Sequence, residues 1–292
     1  MSTIVMVHGT HSSSFWCSEL VSELTLRGQR IVAVDLPGHG ADGFWPAAYQ
    51  TQDLEALATE PSPLAKYTLD DYVARVVEVV RRINGPVILA GASQGGVVLS
   101  RVGNVIPDLL DRVVYLAAYC CVDLPNLTAY LETPENNDSL LGMISTLLAG
   151  DPEKLGVARI NWRSADPAVF QAVKEVLAGD FTDEGVYRLL NLLQPDEPAI
   201  IPLSESRGEA HTWGRIPRTY VRFTEDRLIP LALQDRFIRE ADCLTPDNPT
   251  DVRSVAAPHA GPFGRPEVVD ILAELAGSPA AGGGRDRGAH QQ

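Results

Sequence analysis

The sequence is short of positive charge: 24 Lys and Arg stand against 38 Asp and Glu, a formal net charge of −14 over 292 residues. A field of that sign repels phosphate polyanions and anionic bilayers, so neither nucleic acid nor a membrane is an expected partner. Cysteine is scarce, at four residues, and two of them, Cys120 and Cys121, are adjacent, where bridge geometry is poor. That excludes a disulfide scaffold and fits a reducing, cytoplasmic setting with the cysteines as small core or pocket residues. Long apolar runs are also missing. The early run at 4–7 is far below the ~18 residues of a membrane span, and no charged leader region precedes it, so the chain reads as soluble and unsecreted. No His, Cys and Asp spacing resembles a metal site, and no metal or cofactor is expected.

What is present is ordinary globular composition, 45% hydrophobic and 21% charged, enough for a sizeable core. Short β-branched runs at 4–7, 31–34, 87–90, 113–117, 219–223 and 252–255 alternate with longer helical patterns. That rhythm, with apolar residues on consecutive positions, is that of a parallel sheet covered by helices on both faces. Thr68-Leu69-Asp70-Asp71 has the form of a capping box and opens a helix whose apolar positions include Leu69, Tyr72, Val73, Val76, Val77 and Val80. Further helical patterns follow Ser14 and Pro266.

From 121 to 212 the strand rhythm stops, and helix-like stretches at 139–148, 167–177 and 183–193 suggest a helical cap inserted in an α/β core of residues 1–120 and 213–276. The Gly- and Ala-rich stretch 277–292 lacks periodicity and reads as a flexible tail.

Chemistry concentrates at Gly91-Ala92-Ser93-Gln94-Gly95, a G-x-S-x-G pattern between an apolar strand and an apolar helix. A sharp strand-to-helix turn holds such a serine in a strained conformation, and its glycines let neighbouring chain pass close, so the hydroxyl projects above the sheet edge. A dinucleotide-binding turn fails, because its middle glycine is Ser93 and the next strand ends without an acidic residue for a ribose.

A nucleophilic serine needs a base and an orienting carboxylate, in the chain order Ser, acid, His. Of six histidines, His8, His11 and His39 precede Ser93, His211 precedes the last two strands and His290 lies in the tail. His259, in a loop after a late strand, remains as general base. The strand at 219–223 runs into Glu225 and Asp226, either of which could be the acid, with Asp123 a more distant candidate. The backbone amides of Thr10, after the first strand, and of Gln94 would converge as an oxyanion hole. Ser12, Ser13 and Ser14 read as helix caps. The tryptophans Trp16, Trp45, Trp162 and Trp213 read as core or pocket wall.

The segments VMVHGT ending at Thr10, VAVDLPGHG at 32–40, VILAGASQGG at 87–96, VVYLAAY at 113–119 and RTYVRFTEDRLIP at 218–230 resemble the α/β-hydrolase superfamily. Within it, they are similar to the branch of hydroxynitrile lyases, salicylate-binding methylesterases and related esterases. The resemblance implies an α/β-hydrolase fold with a six-stranded, mostly parallel sheet and a cap. It also implies Ser93 as nucleophile, Asp226 as acid, His259 as base, and Thr10 and Gln94 as oxyanion donors. Lyases of this branch carry Thr where this chain has Gly9 and Lys where it has Ala260, so the lyase activity is not expected. The expectation is a serine hydrolase cleaving an ester, thioester or lactone of a small, largely apolar substrate through an acyl-enzyme. The same site could instead serve a natural-product lactonase, thioesterase, acyltransferase or cyclase, or a ligand receptor without catalysis. A homodimer is left open.

Overall fold

A computed structural model describes residues 2–262 and 265–277. Six strands form one sheet: β1 (Thr3–Val7), β2 (Arg30–Val34), β3 (Val87–Ser93), β4 (Arg112–Ala118), β7 (Arg218–Phe223) and β8 (Asp251–Val255). Their order is β2-β1-β3-β4-β7-β8, and every neighbouring pair is parallel. Parallel neighbours need crossovers long enough to cover a face, and here helices supply them.

The apolar runs feed two cores at once. Ile4, Met6, Ile88 and Ala90 face the helices Ser18–Leu26 and Pro266–Gly277. Val5, Val7, Val87 and Leu89 face the helices Leu69–Arg81, Gly95–Val105 and Leu231–Leu244. Side chains alternate across a strand, so a strand buried on both faces must be apolar at successive positions. The edge strands β2 and β8 instead alternate between buried or half-buried and exposed residues. The capping box at Thr68 forms, its hydroxyl accepting from Asp71 N while the Asp71 carboxylate accepts from Thr68 N.

Between β4 and β7 the chain contributes nothing to the main sheet. Its longest helices, Pro167–Leu177 and Asp183–Leu192, match the sequence periodicity closely. Two expectations there are corrected. The stretch 139–148 is helical only over Leu141–Ser145, because Leu148 bridges to Ile160 and Ala149 N donates to Arg159 O. The Ala149 amide, the next that a longer helix would use, is thereby taken by Arg159 O. The segment also holds a strand pair, β5 (Val157–Arg159) with β6 (Asp196–Pro198), antiparallel. Three-residue strands, one ending in proline, carry too little pattern to register in sequence.

Residues 278–292 of the expected tail lie outside the described residues. Among the described residues, no helix is long and apolar enough to cross a membrane.

Candidate active site

Ser93 ends β3 with φ +54°, a left-handed conformation that a non-glycine residue adopts only when its surroundings over-determine it. Those surroundings are visible. The β3–β4 register shifts between Ala92 and Ser93, and the helix Gly95–Val105 begins two residues on. A Cβ on Gly95 would lie 2.7 Å from His8 O, and one on Gly96 only 2.2 Å from Tyr119 O. The turn therefore passes hard against the ends of β1 and β4, and glycine is the residue that fits.

His259 lies in the loop after β8. The loop is pinned by Ala260 N donating to Leu177 O and Gly261 N donating to Pro258 O, both 2.8 Å. The imidazole Nδ1–H donates to Asp226 Oδ2 at 2.7 Å, which leaves the Nε2 lone pair to accept from Ser93 Oγ at 3.0 Å. Asp226 is buried, and its Oδ1 accepts from Leu228 N and Ile229 N, each at 2.8 Å. Glu225 and Asp123, the other carboxylates considered, are exposed.

Gly9 and Thr10 follow β1, and the turn comes so close to the elbow that a Cβ on Gly9 would lie 2.8 Å from Ser93 Cβ. Among the described residues, the amides of Thr10 and Gln94 donate to no other protein group. Thr10, Ser93, Gln94 and His259 all border one cavity of about 310 Å³. Its walls come largely from the segment between β4 and β7, including Leu141, Ile144, Trp162 and Leu189. Among the described residues, no Asp, Glu, Lys or Arg lines it.

Two of the tryptophans expected as core or pocket wall, Trp16 and Trp162, line the cavity, and Trp213 is buried, donating to Tyr115 Oη. Trp45 is corrected to partly exposed, at 37%, beside Tyr49. Ser13 caps the turn that follows it, accepting from Phe15 N. Ser12 does not act as a cap: its hydroxyl is buried at the cavity wall, with no partner among the described residues. Among the described residues, no group of three or more His, Cys, Asp and Glu side chains is arranged to hold a metal ion.

Behind the site lies a buried polar cluster that sequence reasoning passed over. Glu197 of β6 is 2% exposed. Its Oε2 accepts from His11 N at 2.9 Å and His39 Nε2 at 3.0 Å, and its Oε1 accepts from Gln94 Nε2 at 3.0 Å and Tyr72 Oη at 3.2 Å. Burial disfavours the charged carboxylate, yet the His39 imidazolium and the surrounding donors hold Glu197 down to about 2. His39 is likewise opposed by burial, but Glu197 raises it, and its other nitrogen faces Pro37 O at 3.2 Å, so both ring nitrogens act as donors. His8 is lowered to about 4 by burial and then by His39. Its Nδ1 donates to Gly9 O and its Nε2 accepts from Leu36 N, the pattern of a neutral ring. No local signal in the sequence marks Glu197.

A model described as an alpha/beta hydrolase family matches residues 4–270. The chain is 26% identical over 288 residues to a pyrethroid hydrolase of Sphingobium wenxiniae, covering 95% of this chain and 88% of that protein. It is 26% identical over 287 residues to a protein of Arabidopsis thaliana named putative methylesterase 11, chloroplastic, covering 93% of this chain and 63% of that protein. Among solved structures, a pyrethroid hydrolase from Sphingobium faniae superposes with a TM-score of 0.73 at 22% identity, over 96% of this chain and 98% of that one. Polyneuridine aldehyde esterase superposes with a TM-score of 0.68 at 19% identity, over 94% and 100%. With the parallel sheet, the serine elbow and a family match spanning almost every described residue, the chain belongs to the alpha/beta hydrolase family.

Proposed function

We propose that the protein is a serine esterase acting on a small, largely apolar carboxylic ester through an acyl-enzyme. The observation that carries this reading is the hydrogen-bond chain from Ser93 Oγ through His259 to Asp226, opening on an apolar cavity of about 310 Å³. His259 Nε2 takes the Ser93 proton as Oγ attacks the ester carbonyl, and the carbonyl π electrons move onto its oxygen. The amides of Thr10 and Gln94 receive that oxyanion. Collapse expels the alkoxide, which takes the proton from His259, and leaves an acyl group on Oγ. Water, deprotonated by His259, then releases the acid and restores Ser93.

The segment between β4 and β7 acts as a cap that shapes the acyl and alcohol pockets. Among the described residues, the cavity walls carry no Asp, Glu, Lys or Arg, so a substrate with a free carboxylate or ammonium would be desolvated there without an oppositely charged partner, a large penalty. An ester with modest apolar groups on both sides fits, in line with relatives named as a pyrethroid hydrolase and a putative methylesterase.

Stopped-flow hydrolysis of p-nitrophenyl esters tests the reading. A burst of nitrophenol stoichiometric with protein is expected, together with a fluorophosphonate adduct on Ser93, both abolished in Ser93→Ala. Turnover that survives Ser93→Ala would overturn it.

A further inference from the structure

We propose that Glu197 is a positioning residue of the oxyanion hole: one buried carboxylate bridges the two loops whose amides face the developing negative charge. This rests on the acyl-transfer reading of Ser93.

The two donors come from distant parts of the chain, Thr10 after β1 and Gln94 after β3, and main-sheet pairing ends before either. Thr10 is followed by His11, which holds φ +55°, a second non-glycine residue in the left-handed region. Such a residue stays in place only if tied on several atoms. His11 is tied on three by the segment entering β6. Its N–H donates to Glu197 Oε2 at 2.9 Å, its carbonyl accepts from Gln194 N at 2.8 Å, and its Nδ1 pairs with Gln194 O at 3.0 Å. The His11 amide is thereby turned toward Glu197, which fixes the turn that carries the Thr10 amide. On the other side, Glu197 Oε1 accepts from the Gln94 side chain at 3.0 Å, anchoring the residue whose backbone N–H is the second donor.

The carboxylate suits this task better than any neutral side chain. It offers about four acceptor sites and no donor, and four donors from four other regions of the chain fill them: His11 N, His39 Nε2, Gln94 Nε2 and Tyr72 Oη. An amide at 197 would turn an N–H toward one of the two loops. The protonated His39 supplies the charge that makes ionised burial tolerable. Because Glu197 belongs to the segment that also walls the cavity, cap and oxyanion hole share a rigid link.

The test uses Glu197→Ala, which unties both loops, Glu197→Gln, which keeps size and part of the acceptor capacity, and Gln94→Ala, which cuts one tie and retains the backbone donor. Each is assayed as kcat per burst-titrated site, KM, and affinity for a trifluoromethyl ketone that forms a tetrahedral adduct. Losing one oxyanion donor lowers kcat about 10²- to 10³-fold, so displaced donors should lower it by roughly tenfold for Gln94→Ala and up to roughly 100-fold for Glu197→Ala, with Glu197→Gln between. KM should stay within about threefold, and trifluoromethyl ketone affinity should fall in step with kcat, since both depend on the oxyanion. The double variant Glu197→Ala/Gln94→Ala should be no worse than Glu197→Ala alone.

A purely structural Glu197 would lower the melting midpoint and the titrated fraction yet leave kcat per titrated site and ketone affinity unchanged, and that result overturns the proposal. If Glu197→Ala does not fold, unchanged values in Gln94→Ala overturn it equally. Ser93→Ala in the same assay separates the two readings. Turnover retained there overturns both, whereas an inactive Ser93→Ala beside unaffected Glu197 and Gln94 variants overturns only the positioning role.

Discussion

Gly9 and Ser93 approach so closely that a Cβ built on Gly9 would lie 2.8 Å from Ser93 Cβ and 3.4 Å from its Oγ. Neither neighbour can give way. Ser93 Cβ is one bond from a backbone already held at φ +54°, and the elbow is wedged against β1 and β4. Gly9→Thr should therefore displace the hydroxyl from His259 and lower kcat/KM about 100-fold, the scale of a misplacement of roughly 1 Å. Steady-state hydrolysis of p-nitrophenyl acetate is the check, and a variant with more than half of the original rate would show that the gap is open.

Asp226 divides its oxygens between two tasks, Oδ1 accepting from Leu228 N and Ile229 N while Oδ2 accepts from His259 Nδ1. In Asp226→Asn the single carbonyl oxygen would stay on the two backbone donors, because an NH2 group cannot accept from them. The new amide then points its N–H at His259 Nδ1, forcing the proton onto Nε2, where it faces Ser93 and no base remains. The expected loss in kcat is about 10⁴-fold, the magnitude known for a wrong-tautomer triad. Pre-steady-state kinetics should show acylation slowed with the melting midpoint nearly unchanged.

The sheet and the strand-to-helix turn at Ser93 were legible because both rest on local pattern. Runs such as 87–90 are apolar at consecutive positions for a reason that burial on two faces explains, and Gly95 and Gly96 are glycines for a reason that the 2.7 Å and 2.2 Å contacts explain. Asp226 needed the family pattern, since Glu225 beside it is chemically equivalent until the loop directs one carboxylate inward. Glu197 could not be read at all. Its importance lies in partners at positions 11, 39, 72 and 94, a convergence that only the tertiary fold creates. The Leu141–Ser145 helix stopped short for a related reason, with the bridge from Leu148 to Ile160 overriding helical propensity.

Arg159 and Asp196 form a fully buried two-pronged ion pair across the β5–β6 strand pair, at 2.6 Å and 2.7 Å. The guanidinium also donates to Leu57 O and Glu60 O, so the ion pair fastens the strand pair that carries Glu197 to the loop before the capping box. Arg159→Met alone would strand the Asp196 charge and should destabilise the protein by about 3–5 kcal/mol. Arg159→Met/Asp196→Leu should recover most of that loss, since both desolvation penalties vanish together. Guanidinium chloride unfolding of the two variants decides the matter, and equal midpoints would contradict the argument.

Stability should also depend on pH through His8. Its surroundings are His39, with ring centroids 4.9 Å apart, and the carboxylates of Glu197 and Asp35. The unfolded chain binds a proton at His8 near 6.5 and the folded chain only near about 4, so the unfolded state holds more protons between those values. The stabilising share is complete above pH 6.5 and declines as pH falls toward 4. His39 has the opposite sign: its raised value makes its share complete below the unfolded value and lost as pH climbs through the folded one. Glu197, lowered to about 2, keeps its share above its ordinary 4.5 and loses it only as pH falls below that. Between pH 6.5 and 4.5 the His8 share is thus falling while those of Glu197 and His39 stay in place. His8→Gln, which cannot take up a proton there, should flatten the fall in melting midpoint across that interval. Calorimetric scans of both proteins at half-unit steps would show it, and parallel curves would mean that His8 is not the group whose protonation weakens the fold.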